Sequence, residues 1–180
     1  MPSPDRPLGG AEIRAHVAEV AAELPREGPQ HVLVLVGGAL LAWHDLRDTT
    51  RDVDSVRRLD QDLRTAVGRV ARHRDLSPAW INDAAAGFRP ATFRDQDCEI
   101  LLNEPRLLVL GAPLDQVFLM KLYRVDAQDY EDMVTLWPLC GFGSPEEVAA
   151  LFLQAYPHAP EDPHLADMIR DIATRSEPPG

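Results

Sequence analysis

The sequence predicts an α/β (α+β) fold: a small mixed β-sheet flanked by helices, with a helical portion at its C-terminal end. Three observations carry that expectation. The run His31-Val-Leu-Val-Leu-Val36 is unbroken and β-branched, which suits a strand covered on both faces by packed helices. Residues 97–102 and 106–110 are two further apolar segments, separated by the turn-forming cluster Asn103-Glu104-Pro105. From Leu114 onward the apolar residues recur at helical spacing. With 180 residues, 45% of them hydrophobic, the chain is long enough for one full core and too short for two ordinary domains.

The elements follow in order. Residues 1–9 hold three prolines and few apolar groups, which predicts a flexible tail. Ile13, Val17, Val20 and Leu24 lie on one face of a helix that starts at Gly10 and stops at Pro25 and Gly28-Pro29. The strand at 31–36 runs into Gly37-Gly38, and Ala39 to Leu46 reads as a short helix. A second strand is expected at 51–56 and a helix at 59–73, with Leu59, Leu63, Ala66, Val67 and Val70 on its apolar face. Trp80-Ile81-Asn82-Asp83 leads into an Ala-rich helical turn that ends at Gly87, before the strand pair. A helix is expected over 114–136, broken by Pro138 and Gly141. Ser144-Pro145-Glu146-Glu147 starts another, with Pro in the first turn and acids at the positive end of the dipole. A last helix covers 163–174, and 176–180 is a polar tail. The expected domain is thus 10–175, with a sheet-containing core at 10–112 and a helical part at 113–175.

Composition narrows the function. The net charge of −11 opposes a large nonspecific nucleic-acid groove, because counterion release needs many basic contacts. Arg57, Arg58, Arg64, Arg69, Arg72 and Arg74 concentrate in one stretch, and the favoured reading of them is a solvated, acid-balanced helix face. Cys98 and Cys140 lack the paired Cys/His spacing of a zinc site and read as reduced, packed thiols of a cytoplasmic protein. No run approaches a membrane span, and Met-Pro-Ser-Pro-Asp-Arg-Pro has no apolar h-region, so neither a membrane nor a secretory role is expected.

Chemistry concentrates in Thr50-Arg51-Asp52-Val53-Asp54. On a strand, Asp52 and Asp54 point to one face, where two like charges repel unless a cation sits between them. Mg²⁺ is hard, oxygen-seeking and commonly held by one or two carboxylates plus substrate phosphates. Gly37-Gly38 allows backbone amides to approach a phosphate closely. Each piece alone is common; strand, Gly-Gly, helix and Asp-x-Asp in succession are far more specific. His44 and Arg47 follow the glycine pair within reach of the same phosphates.

These residues resemble the minimal nucleotidyltransferases of the polymerase-β-like superfamily, and in particular the bacterial DUF6036 group related to the AbiEii toxins of abortive-infection toxin–antitoxin systems. The resemblance rests on Val36-Gly37-Gly38-Ala39-Leu40 and Thr50-Arg51-Asp52-Val53-Asp54, then on Trp80 to Phe88, and finally on Lys121, Asp129 and Asp132 within Met120 to Met133. It spans roughly residues 12–160.

The resemblance implies transfer of a nucleoside monophosphate from an NTP to an acceptor: RNA such as tRNA, a protein or a small molecule. It makes Asp52 and Asp54 the Mg²⁺ ligands; the superfamily often has a third carboxylate on a later strand, for which Asp97 and Glu99 are candidates by alternation although neither sits in a recognisable motif. Lys121 becomes a catalytic phosphate contact, and Gly37, Gly38, Asn82, Asp83, Asp129 and Asp132 bind the nucleotide. Relatives often carry Gly-Ser where this chain has Gly37-Gly38, which leaves backbone donors alone at that step. The alternative implied is a catalytically degenerate nucleotide- or partner-binding protein of a toxin–antitoxin or defence system, with a cognate antitoxin as its partner.

Overall fold

The apolar run at 31–36 becomes the central strand of a five-stranded sheet in a computed structural model that describes residues 6–177. The chain forms two units. The first comprises residues 6–88 and 98–112, and the second residues 89–97 and 113–177.

In the first unit, strand β1 (Leu8–Gly9) leads into helix α1 (Gly10–Glu23), strand β2 (His31–Val36) and helix α2 (Gly37–Trp43). Then come β3 (Thr49–Thr50), β4 (Val53–Ser55), α3 (Gln61–Arg74), β5 (Ile81–Asn82), a 3₁₀ turn at Ala84–Phe88, β6 (Glu99–Glu104) and β7 (Leu107–Gly111). The sheet order is β5-β4-β2-β7-β6. β2 runs antiparallel to β4 and parallel to β7, so the sheet is mixed as expected. Ile13, Val17 and Val20 of α1 and Leu63, Ala66, Val67 and Val70 of α3 are buried, the faces that their spacing predicts. Asp60 caps α3 by accepting from the Leu63 N–H at 3.0 Å.

Register decides which side chains share a face. Ser55, Leu35, Gly111 and Glu99 form one rung across four strands. Asp54 pairs with Val36 on one side and Asn82 on the other. Successive residues of a strand alternate, so Asp54 and Asn82 face away from Ser55 and Glu99.

The second unit is helical: α4 (Leu114–Arg124), α5 (Ala127–Cys140), α6 (Pro145–Ala155) and α7 (Leu165–Ser176). Phe118 packs edge-on to Trp137 and Phe142, and Tyr123 stacks on Tyr156 with ring centroids 4.3 Å apart. Residues 89–97 belong to this unit, where the Ala91 N–H donates to the Ala155 carbonyl and the Thr92 hydroxyl to Gln116 Oε1.

Several boundaries differ from the sequence expectation. Within the expected 1–9 tail, Leu8–Gly9 pairs with Thr49–Thr50, and Leu8 is buried because its side chain is apolar enough to join the core; residues 1–5 of that tail, and 178–180 of the C-terminal one, lie outside the described residues. The strand expected at 51–56 contracts to Val53–Ser55. The helix expected over 114–136 is two helices, because Val125 turns left-handed (φ 38°) and Asp126 opens α5 through a reciprocal capping box with Asp129. Pro138 lies inside α5 and does not end it; Gly141, at φ 67°, does. Among the described residues no helix is long and apolar enough to cross a membrane.

Candidate functional site

The glycine pair and the acidic motif meet because β2 and β4 are antiparallel neighbours. Val36, the last residue of β2, pairs with Asp54, so the next residue, Gly37, falls beside the Asp54 carboxylate. A Cβ at position 37 would stand 3.5 Å from Asp54 Oδ2, an ordinary contact, and the backbone there is left-handed at φ 61°, so glycine answers the turn. One residue on, a Cβ at position 38 would stand 2.8 Å from Thr50 Oγ1 and 3.0 Å from Arg47 Nη1. Gly38 therefore lacks a side chain because a hydroxyl and a guanidinium close over its backbone.

Asp52 lies just ahead of β4. The Thr50 hydroxyl donates to its carbonyl at 3.2 Å, and Asn82 Nδ2 makes a long 3.5 Å contact to its Oδ2. Asn82 in turn is oriented by the Ala84 N–H, which donates to its Oδ1 at 3.0 Å. Gly37, Gly38, Asp52, Asp54 and Asn82 are thus gathered in one place, with Thr50 and Arg47 added to them. Asp83 lies next to Asn82, but its carboxylate is engaged elsewhere, accepting from the Leu59 N–H at 3.0 Å and Arg64 Nη2 at 2.7 Å.

Glu99 points the other way. The rung that holds it passes through Ser55, on the face opposite Asp54. Its side chain leans over Gly111, where a Cβ would meet Glu99 Oε1 at 3.1 Å, and reaches His44 Nε2 at 2.6 Å. The pleat thus separates Glu99 from the acidic pair, and the expectation of a third ligand there is corrected on that ground. Asp97 sits in a 3₁₀ turn of the second unit.

Lys121, Asp129 and Asp132 come together within the second unit. Lys121 Nζ donates to Asp129 Oδ1 at 2.9 Å and to Asp132 Oδ2 at 2.7 Å, and all three side chains are largely buried. Gln128 Nε2 adds a 3.3 Å bond to Asp132 Oδ1. The eight- and eleven-residue spacing does put the three on one wall, across the α4–α5 corner rather than along one helix.

Sequence reasoning gave Thr50 no role of its own and placed Arg47, with His44, within reach of the phosphates. Thr50 is quoted within the acidic motif, and its signal is the alternation Thr50, Asp52, Asp54; Arg47 carries no motif of its own.

Among the described residues no group of three or more His, Cys, Asp or Glu side chains could hold a metal ion. The acidic pair still fits Mg²⁺ by its donor chemistry: two hard carboxylates beside a backbone step with no side chain, the arrangement in which substrate phosphates complete the coordination. No family model, curated protein or solved structure matches the chain.

Proposed function

We propose that this chain is a cytoplasmic, Mg²⁺-dependent nucleotidyltransferase that transfers a nucleoside monophosphate from an NTP to an acceptor hydroxyl on RNA such as tRNA, a protein or a small molecule. The observation that supports it is the placement of Asp54 against the bare Gly37 backbone, with Asp52 held beside it by Asn82. Asp52 and Asp54 would hold the ion, which when bound supplies neutralisation of charge on the phosphate oxygens. The Gly37 and Gly38 backbone lets the triphosphate approach without a side-chain clash. The acceptor oxygen bonds to the α-phosphorus as the bond to the bridging oxygen breaks; pyrophosphate leaves with the electron pair, and the hydroxyl proton passes to water. Binding and orientation of the two reactants are the chain's contribution.

A second reading has its own observation. Lys121 is engaged by two buried carboxylates, and Glu99 faces away from the acidic pair, which favours a chain that binds nucleotide, or a partner such as an antitoxin, without turnover.

The test is incubation of the purified protein with each radiolabelled NTP, Mg²⁺ and total RNA, alongside the double substitution Asp52→Ala and Asp54→Ala. Label transfer by the wild type that disappears in the double variant is the expected result. Transfer that survives it overturns the site. Mg²⁺-dependent NTP binding without transfer selects the second reading.

A further inference from the structure

His31 opens β2 with a buried imidazole, and both of its ring nitrogens are engaged. Nδ1 lies 2.6 Å from Asp60 Oδ2, at the N-cap of α3, and Nε2 lies 3.1 Å from Arg106 Nη2, in the turn between β6 and β7. A guanidinium carries donors only and stays charged, so Nε2 must accept from Arg106 through its lone pair. The ring is therefore neutral, and its one proton sits on Nδ1 and is donated to Asp60. The same guanidinium holds the chain between α1 and β2. Arg106 Nε donates to the Pro29 carbonyl at 3.1 Å, and Nη1 donates to the Pro25 carbonyl. Gly28 folds against it at φ 122°, where a Cβ would stand 2.9 Å from Nη2, so glycine answers both the turn and the close approach. Residues 25–29 thus wrap around one buried guanidinium, and the lone pair of His31 holds its remaining arm.

The geometry points to a proton-operated latch: protonation of His31 at Nε2 releases Arg106, and with it the 25–29 loop. A proton on Nε2 removes the lone pair that Arg106 needs and sets two cationic N–H groups against each other in a buried place. Asp60 keeps its bond in either state, because Nδ1–H donates to the carboxylate whether the ring is neutral or charged. The Arg106 side is the one that yields. Asp60 and Arg106 are the charged groups that meet the ring. Arg57 and Arg58 ahead of Asp60, Glu104 ahead of Arg106, and Arg26 and Glu27 in the loop are the other charges close along the chain, and none of them hydrogen-bonds or ion-pairs with His31. The loop is then held at higher pH and loosened as pH falls through the range in which imidazoles titrate. Leu24, Arg26 and Arg106 also line a surface groove beside α1, which changes shape when the loop moves. None of the latch residues belongs to the acidic site, so the latch stands apart from the nucleotide reading.

The test is hydrogen–deuterium exchange of the full chain at about pH 8 and about pH 5, with each rate corrected for the intrinsic effect of pH. The expected result at the lower pH is a loss of protection of about tenfold or more over residues 26–30, with the amides of β2 unchanged. His31→Gln, which takes up no proton in this range, is expected to show no such pH dependence, and Arg106→Met to leave the loop unprotected at both values. Nitrogen NMR of the isotope-labelled wild type reads the tautomer directly and is expected to find the proton on Nδ1 at the higher pH. That measurement keeps the latch testable if the variants do not fold. Equal loop protection at both pH values in the folded wild type overturns the latch, and so does a proton on Nε2 at the higher pH. A loss shared equally by β2 and the loop marks global unfolding and overturns it too, as does a folded His31→Gln variant with the pH dependence of the wild type.

Discussion

Lys121 Nζ lies 2.7 Å from Asp132 Oδ2 with both side chains buried, and Asp129 closes the cluster at 2.9 Å. The three charges join the end of α4 to the first turns of α5. Removing one partner of a buried ion pair leaves the other charge desolvated and costs roughly 3–5 kcal/mol. Lys121→Ala is therefore expected to lower the urea midpoint sharply, by about that free energy, because it strands two carboxylates. Asp129→Asn is expected to cost less, since its carboxylate is the more exposed of the two and Asn still accepts a hydrogen bond. Equilibrium urea unfolding checks both, and equal stability of Lys121→Ala and wild type would refute a structural role for the cluster. A drop in activity in a Lys121 variant counts as evidence for phosphate contact only at a temperature where the variant is folded.

How much of this was legible in the sequence differs from element to element. β2 and the apolar faces of α1 and α3 follow from strong periodicity, and tertiary contacts agree with it. The Gly37 and Asp54 juxtaposition was legible as a motif because an antiparallel neighbour brings the end of one strand to the next. The face of Glu99 was not. Parity along β6 depends on register, and the ladder between β6 and β7 shifts between Ile100 and Leu102, so counting residues could not give the side. The break at Val125 was hidden because apolar spacing continues through it; the signal lay in Asp126 and Asp129, three apart, as a capping box. Residues 89–97 have no pattern that assigns them to the helical unit, whose claim on them is made by long-range bonds such as Ala91 to Ala155.

His31 Nδ1 lies 2.6 Å from Asp60 Oδ2, and this pair gives the fold a pH dependence. Burial pushes the Asp60 carboxyl up, but the His31 hydrogen bond and the Leu63 N–H outweigh it and hold the group below its ordinary value of 3.8. A carboxyl depressed in the folded state contributes stability that is fully present above the unfolded value and is lost as pH falls through the folded one. Asp60→Asn keeps the helix cap and removes the charge. It is expected to destabilise by about 0.5–1 kcal/mol near pH 6, a modest figure because the Asp60 side chain is half exposed. The difference from wild type is expected to shrink as pH falls below the ordinary value of 3.8 and through the lower folded one, where the wild-type carboxylate protonates too. Urea unfolding of both proteins at a series of pH values measures it, and a difference that grows as pH falls would refute the assignment.

Val125 adopts φ 38° and ψ 88°, in the left-handed region, between α4 and α5. A β-branched side chain is crowded against its own backbone there, at a cost of roughly 1–2 kcal/mol. The position is nevertheless kept, because the Val125 N–H donates to the Lys121 carbonyl at 2.9 Å and the next residue caps α5. The side chain is 39% exposed, so its removal forfeits only part of a valine's burial. Glycine relieves the crowding but loses more chain entropy on folding, about 0.5–1 kcal/mol. Val125→Gly is accordingly expected to stabilise the protein by about 0.5 kcal/mol, and Val125→Asn, which tolerates the left-handed region with less entropy loss, by a similar or larger amount. Thermal unfolding of the two variants against wild type decides it: a lower midpoint in both would show that the corner is held by valine packing and not strained by it.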